Sequence, residues 1–363
     1  MTKLTLITAL ALAALLAPAL HADLKADLDA AAQVQPGDHA NWVKARDKIV
    51  DMGAPALDEL AKAAAIENWT AKGWTRALVA ESARLRIEKP ELAPQVDSPR
   101  GIDPEHYLKT RLAAPVCRRD LARLGTQGVP LLLERWRWTL DAKPFSEGEP
   151  GKAEREELAR ALLAVPGQLA DSRAQYALLL VLRDETTSAQ WRQDAAVSYG
   201  QCAGSTALEP LGMLLDDARQ PLQVREGCAW ALGRVPTAAA LDAIKQRLND
   251  ARITGGETGP ALTRALVNGI SILGSKWGWQ ARAVSEQDTG NAIRKDCAEL
   301  LVATIKQQPQ EASQIADALA NVAWQESLAW VQDLSKNAEV TAETREAALK
   351  CIEPLKMALE REK

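Results

Sequence analysis

Two stretches of this chain repeat one another at an offset of 33 residues. Residues 192–200 read RQDAAVSYG and residues 225–233 read REGCAWALG. Arg192 thus matches Arg225, Ala196 matches Ala229, Tyr199 matches Leu232 and Gly200 matches Gly233. The offset continues downstream, where Leu208 matches Leu241, Leu211 matches Ile244 and Leu215 matches Leu248. A fixed period of this length restricts the fold, because each unit is one small supersecondary element that cannot bury its apolar face alone. Within a unit the apolar residues return every three or four positions, as in Leu241, Ile244 and Leu248, which is the stripe of a helix with one buried face. A further unit, residues 264–274, ends in Ile272-Leu273-Gly274 and repeats the theme. The expected fold class is all-α, an α-solenoid of stacked antiparallel helix pairs.

The same grammar appears nearer the N-terminus. Ile49 to Gly53 (IVDMG) runs into Ala54-Pro55-Ala56-Leu57, and Leu121 to Gly125 (LARLG) runs into Gly128-Val129-Pro130-Leu131. Glycine ends a helix by accepting a left-handed backbone without penalty. Proline opens the next helix, where its missing N–H is not needed. This helix, Leu-Gly, turn, Pro-x-Leu helix pattern resembles HEAT repeats. The unit from Val224 to Leu248 is similar to the short HEAT-like repeats of the phycobilisome-lyase type. The clearest units cover 192–274, with weaker ones at 40–66 and 115–140; helices at 153–182 and 292–358 fit the architecture with poorer motif matches. The resemblance implies an armadillo-like helical array and says little of function, because such families contain scaffolds, adaptors and a few enzymes.

Irregular stretches interrupt the array. Residues 141–152 (DAKPFSEGEPGK) read as a linker between helical repeats at 23–140 and at 153–363. Residues 89–104, 252–260 and 278–290 are further insertions, rich in proline or glycine, and insertions in solenoids project as loops that often mark a binding face.

Residues 1–22 are expected to be a cleavable signal peptide. Lys3 gives a short positive start, Leu4 to Leu16 are apolar, and Ala17-Pro18-Ala19 or Ala22 offers a cleavage site. The apolar run is shorter than the roughly 20 residues a membrane span needs. A periplasmic or secreted location follows, with no transmembrane segment after processing. The net charge is −4, and losing Lys3 makes the balance more negative. An acidic chain lacks the phosphate-neutralising surface of a general nucleic-acid binder. Hydrophobic residues make up 47% of the chain with a single Phe, a mixture dominated by Ala and Leu that suits close-packed helices.

Catalytic constellations are not found in the sequence. Of the three histidines, His21 lies in the signal and His39 and His106 stand apart in polar surroundings, too few for a histidine metal site or a Ser-His-Asp triad. The His-Glu pairs of HEAT-like deoxyhypusine hydroxylase are missing. Gly255 to Pro260 lacks the Lys-Ser/Thr of a phosphate loop, and Glu154, Glu156 and Glu157 beside Arg155 and Arg160 read as a solvated face. Cys117, Cys202, Cys228, Cys297 and Cys351 show no C-x-x-C spacing and read as small buried hydrophobes. The repeat register keeps Cys202 and Cys228 too far apart for a disulfide. No cofactor and no metal ligand are expected.

Tryptophan gives the sharper signal. Trp136 and Trp138 flank Arg137, Trp277 and Trp279 flank Gly278 at an insertion, and Trp69 and Trp74 bracket a break near Gly73. They can cap the core where insertions begin, or form an aromatic platform, since Trp is enriched at binding hot spots. The leading expectation is an exported, non-enzymatic scaffold or adaptor for a protein or peptide partner, with Trp136, Trp138, Trp277 and Trp279 as candidate contact residues. The alternatives are a glycan- or cell-wall-binding protein using those tryptophans, or a lyase-like protein that handles a chromophore through a cysteine.

Overall fold

The structure, a computed structural model, describes residues 23–34, 38–92, 121–141, 152–276 and 284–361. The described residues are helical, joined by turns, without strand. They fall into two compact units, residues 1–177 and 178–363. In the first unit lie α1 (23–32), α2 (His39–Val50), α3 (Leu57–Ala63), α4 (Trp74–Glu88), α5 (Val129–Asp141) and α6 (Lys152–Gln168). The interval 142–151, most of the expected linker, lies outside the described residues, and the helices on either side of it, α5 and α6, pack against each other. α7 (Gln175–Arg183) spans the division.

The second unit is a two-layer stack. One layer holds α8 (Ala189–Ala203), α10 (Leu222–Leu232), α13 (Gly259–Gly274), α15 (Ala312–Val322) and α17 (Ala342–Arg361), each packed on the next. The other holds α9 (Leu208–Asp216), α11 (Ala238–Leu248), α14 (Val284–Gln307) and α16 (Ser327–Lys336), with the one-turn α12 (Ala251–Thr254) leading into α13. This is the solenoid-like, all-α arrangement that the repeat predicts. The predicted stripe is the seam: Leu211, Leu215, Leu241, Ile244 and Leu248 are buried, as are Ala196, Ala229, Tyr199 and Leu232.

The 33-residue period has a polar skeleton. Arg192 and Arg225, both buried, donate through Nε to Leu182 O at 2.9 Å and Leu215 O at 2.8 Å. Each guanidinium thereby satisfies a carbonyl near the end of the preceding helix, which has no partner within its own helix. Gln223 donates to Gln190, its counterpart one period earlier, at 2.6 Å. Asp184, Asp217 and Asp250, also one period apart, each accept the backbone N–H two residues on, from Thr186, Arg219 and Arg252 at 2.9, 3.0 and 2.9 Å. Such side-chain-to-backbone turns fix the short links between helices. The Thr186 hydroxyl on Asp184, and the guanidinium groups of Arg219 on Asp217 and Arg252 on Asp250, hold these carboxyls below the usual carboxylate range.

Glycine acts differently in the two halves. Gly53 and Gly125 adopt the left-handed backbone expected of them, with φ of 64° and 62°. Gly200 and Gly233 do not: Gly233 is right-handed at φ −66°, and both are required by a close approach instead. A Cβ on Gly200 would lie 2.5 Å from Ala231 O, and one on Gly233 would lie 2.2 Å from Gly269 O. Neighbouring helices therefore touch backbone to backbone.

The same contacts correct the register of the third unit. Gly200 meets a residue 31 positions on, whereas Gly233 meets one 36 positions on. The added residues fall where α12 and the turn after it are inserted. Arg264 accordingly does not repeat Arg192 and Arg225; it pairs with Glu311 at 3.2 Å.

The first unit is organised round a buried carboxylate. Glu134 on α5 is fully buried. Its oxygens accept from Trp42 Nε1 at 3.0 Å and Arg86 Nη2 at 3.3 Å, and also from Arg46 and Ser82. Removing one partner from a buried pair of this kind costs about 3–5 kcal/mol, because the other charge is left without compensation. The network ties α2, α4 and α5 together.

Gly233→Ala should destabilise the chain by about 3 kcal/mol, the upper end for overpacking, because the new methyl meets backbone rather than a movable side chain. Chemical denaturation followed by helical circular dichroism checks this; a loss below about 1 kcal/mol, typical of a surface change, would contradict the close approach.

Candidate functional site

An open groove of about 740 Å³ lies in the second unit. Its floor is Trp324, in the four-residue link between α15 and α16. One wall is α16, through Leu328, Ala329 and Gln332; the facing wall is α17, through Lys356, Leu359 and Glu360. Lys276, just beyond α13, and Arg294, on α14, also line it, as do Gln325 and Glu326 of the link.

The local sequence explains how Trp324 is presented. Ala323 takes a left-handed backbone, φ 45° and ψ 49°, and its N–H bonds to Leu319 O at 2.8 Å. That is the usual helix-ending geometry, with alanine where glycine is the common residue. The chain turns sharply enough to set the indole over the groove. Ser327, fully buried, then accepts a fixed position by bonding Trp324 O through its backbone N–H at 3.1 Å and through its hydroxyl. Arg294 is buried against the ring, with its guanidinium carbon 5.8 Å from the ring centre. It donates to Gly274 O at 3.2 Å and Val322 O at 2.8 Å, so one cation caps the ends of α13 and α15 together.

The other indoles show what is unusual here. Trp42 donates to Glu134, and Trp69 donates to Ala64 O at 3.0 Å. Trp69 also stacks under Arg173, 5.9 Å away, and is nearly fully buried. Those two are core residues, as the capping reading of Trp69 expects. The Trp324 Nε1, like that of Trp230 on α10, is enclosed without a hydrogen-bond partner among the described residues, at a cost of about 1–3 kcal/mol; only at Trp324 does a left-handed residue adjoin it. A strained alanine and an unsatisfied indole side by side are a local penalty, and such penalties cluster where a site matters more than stability.

A second hollow, about 190 Å³, lies in the first unit beside α1 and α3. Two of its three cations are already engaged, Lys62 with Glu59 at 2.6 Å and Arg76 with Asp29 at 2.7 Å, and the third, Lys25, is exposed. The larger groove is the stronger candidate.

The tryptophans singled out by sequence are placed only in part. Trp136 and Trp138 fall within α5, but their side chains, and all of Trp277 and Trp279, lie outside the described residues. Lys276, the residue before Trp277, lines the groove. His106 and Cys117 also lie outside, as do the side chains of His39, Glu154, Glu156 and Glu157. Of the insertion expected at 252–260 only 255–258 is a turn, since 252–254 belong to α12 and 259–260 open α13; likewise 284–290 of the insertion expected at 278–290 belong to α14. Trp324, Lys356 and Arg294 carry no motif; a lone Trp beside a helix break was the available signal. Among the described residues no cluster of three or more His, Cys, Asp or Glu is placed to hold a metal. Cys202, Cys228, Cys297 and Cys351 are buried free thiols, and burial pushes Cys228 and Cys351 up to about 12.

No protein-family model matches the chain, and no curated protein matches it significantly.

Ala323→Gly should relieve the left-handed strain, worth about 1–2 kcal/mol for a residue with a Cβ, less about 0.5–1 kcal/mol of added unfolded-state freedom. The expected net gain is about 0.5–1 kcal/mol in equilibrium unfolding. A destabilised variant would show that Ala323 is not held in this conformation.

Proposed function

We propose that the chain is an exported, non-enzymatic, HEAT-like scaffold or adaptor that holds a protein or peptide partner on its helical surface, in the groove over Trp324. The observation that carries this reading is the groove itself: an open cleft between stacked helices that sets a tryptophan and two leucines among charged and amide side chains, a mixture suited to recognition. The repeat architecture supports it, since stacked helix pairs expose long ligand-binding surfaces. Export rests on the signal-like residues 1–22. Among the described residues no helix is long and apolar enough to cross a membrane.

Ala329 is exposed on the groove wall, so Ala329→Arg fills the cleft without disturbing the core. Partners crosslinked to the processed chain in the envelope or secreted fraction should be lost on Ala329→Arg, with helical content unchanged and affinity for the purified partner falling at least tenfold. Equal capture by both forms, or none by either, overturns the reading. Retention on cell-wall glycan that survives Ala329→Arg but is lost on Trp277→Ala or Trp279→Ala would replace it with the glycan alternative.

The chromophore-handling alternative requires a reactive thiol. In a Cys117→Ser variant the four buried cysteines should react with a disulfide reagent at pH 8 only after denaturant is added, because their thiolate fraction and access are both suppressed. One fast-reacting thiol in the native state would reopen that alternative.

A further inference from the structure

We infer that the groove over Trp324 recognises an acidic segment of its partner, with carboxylate side chains spaced along it and an apolar side chain laid on the indole. This rests on the groove being the binding site, and it adds the chemistry of the ligand. Among the described residues three cations line the cleft, Lys276, Arg294 and Lys356, against two carboxylates, Glu326 and Glu360. The simple count is close to balance; exposure decides the field. Both glutamates are exposed, whereas Lys276 and Lys356 are half-buried and Arg294 is buried. A pair of charges near a protein surface interacts about four times more strongly than the same pair in water, so the least screened charge in the groove is positive. The chain as a whole is acidic, at −4, which makes this local field a departure from its surroundings.

Lys356 is the residue on which recognition turns. Elsewhere on α17, Lys350 is neutralised by Glu346 at 3.1 Å, four residues away. Lys356 stands four residues from Glu360 and forms no ion pair with it or with any other described residue. Lys356 is half-buried as a residue, and a lysine in that position lays its stem on apolar surface while its ammonium stays available to a carboxylate from a ligand. Arg294, by contrast, is committed to two helix-end carbonyls and to Trp324; it is a positioning residue that holds the indole. Lys276 and Lys356 come from separate elements, one beyond α13 and one on α17. Cations divided in this way suit carboxylates distributed along an extended chain better than a single terminal carboxylate. Half-buried Leu328 and Leu359 supply the apolar contact between them.

The test uses the processed full chain and three end-blocked fluorescent peptides of twelve residues. Their sequences alternate Leu with Glu, with Gln or with Lys. Fluorescence anisotropy should show the Glu peptide binding at least tenfold more tightly than the Gln peptide, and more weakly as salt rises. Lys356→Glu should weaken it at least tenfold, and Lys356→Arg should restore it. Ala329→Arg should abolish it. Equal binding of the Gln or Lys peptide, or an unchanged affinity in Lys356→Glu, overturns the acidic ligand; so does failure of all three to bind. The groove reading survives if a Gln or Lys peptide binds and Ala329→Arg displaces it. It falls separately if Ala329→Arg leaves capture of the native partner unchanged. A Gln peptide with a free C-terminus that matches the Glu peptide would assign the site to a terminal carboxylate and overturn the proposal.

Discussion

Backbone-to-backbone contact between successive helices is the constraint from which the second unit is built. Gly200 and Gly233 leave no room for a methyl group, so α8, α10 and α13 sit at the shortest spacing helices allow. At that spacing the apolar seam is continuous and side chains such as Leu211, Leu232 and Ile244 lose all contact with water. Buried arginines set the register along the helix axes, because Arg192 and Arg225 each reach a carbonyl ten residues upstream. Sliding one helix pair past the next would strand both a guanidinium and a carbonyl, each expensive to leave unsatisfied when buried.

The first unit solves the same problem with charge. Glu134 draws Trp42, Arg46, Ser82 and Arg86 to one point, and a buried carboxylate so surrounded is specific about geometry even where its net stabilisation is small. The groove is built on the opposite principle. Its link carries a left-handed alanine and an indole N–H without a partner, and its cations include one that no carboxylate offsets.

Fold class was legible because a period is a property of the chain itself. The 33-residue offset and the three-to-four spacing of Leu and Ile specify stacked helix pairs whatever their environment. The same offset also marks Asp184, Asp217 and Asp250, a signal present in the residues and visible once the turns are seen. Environment was harder to read. Glycine at 200 and 233 matches glycine at 53 and 125 in type, yet answers to a neighbour's carbonyl instead of its own φ. In the third unit five extra residues near α12 shift the pairing while preserving a Leu-Gly ending, so the ending alone does not give the register. Trp324 and Lys356 were not legible: what distinguishes them is absence of a partner, which only the packed structure defines.

The groove's position in the array has a consequence of its own. In a stack where each helix pair leans on its neighbours, local opening is confined to few contacts. α16 and α17 line the cleft, and α17 packs on α14, α15 and α16. Anything lodged between α16 and α17 binds only while they are together, and stabilises that closed state with the logarithm of its concentration over its dissociation constant. Occupancy of the cleft and slow amide exchange in α17 are thus two faces of a single equilibrium.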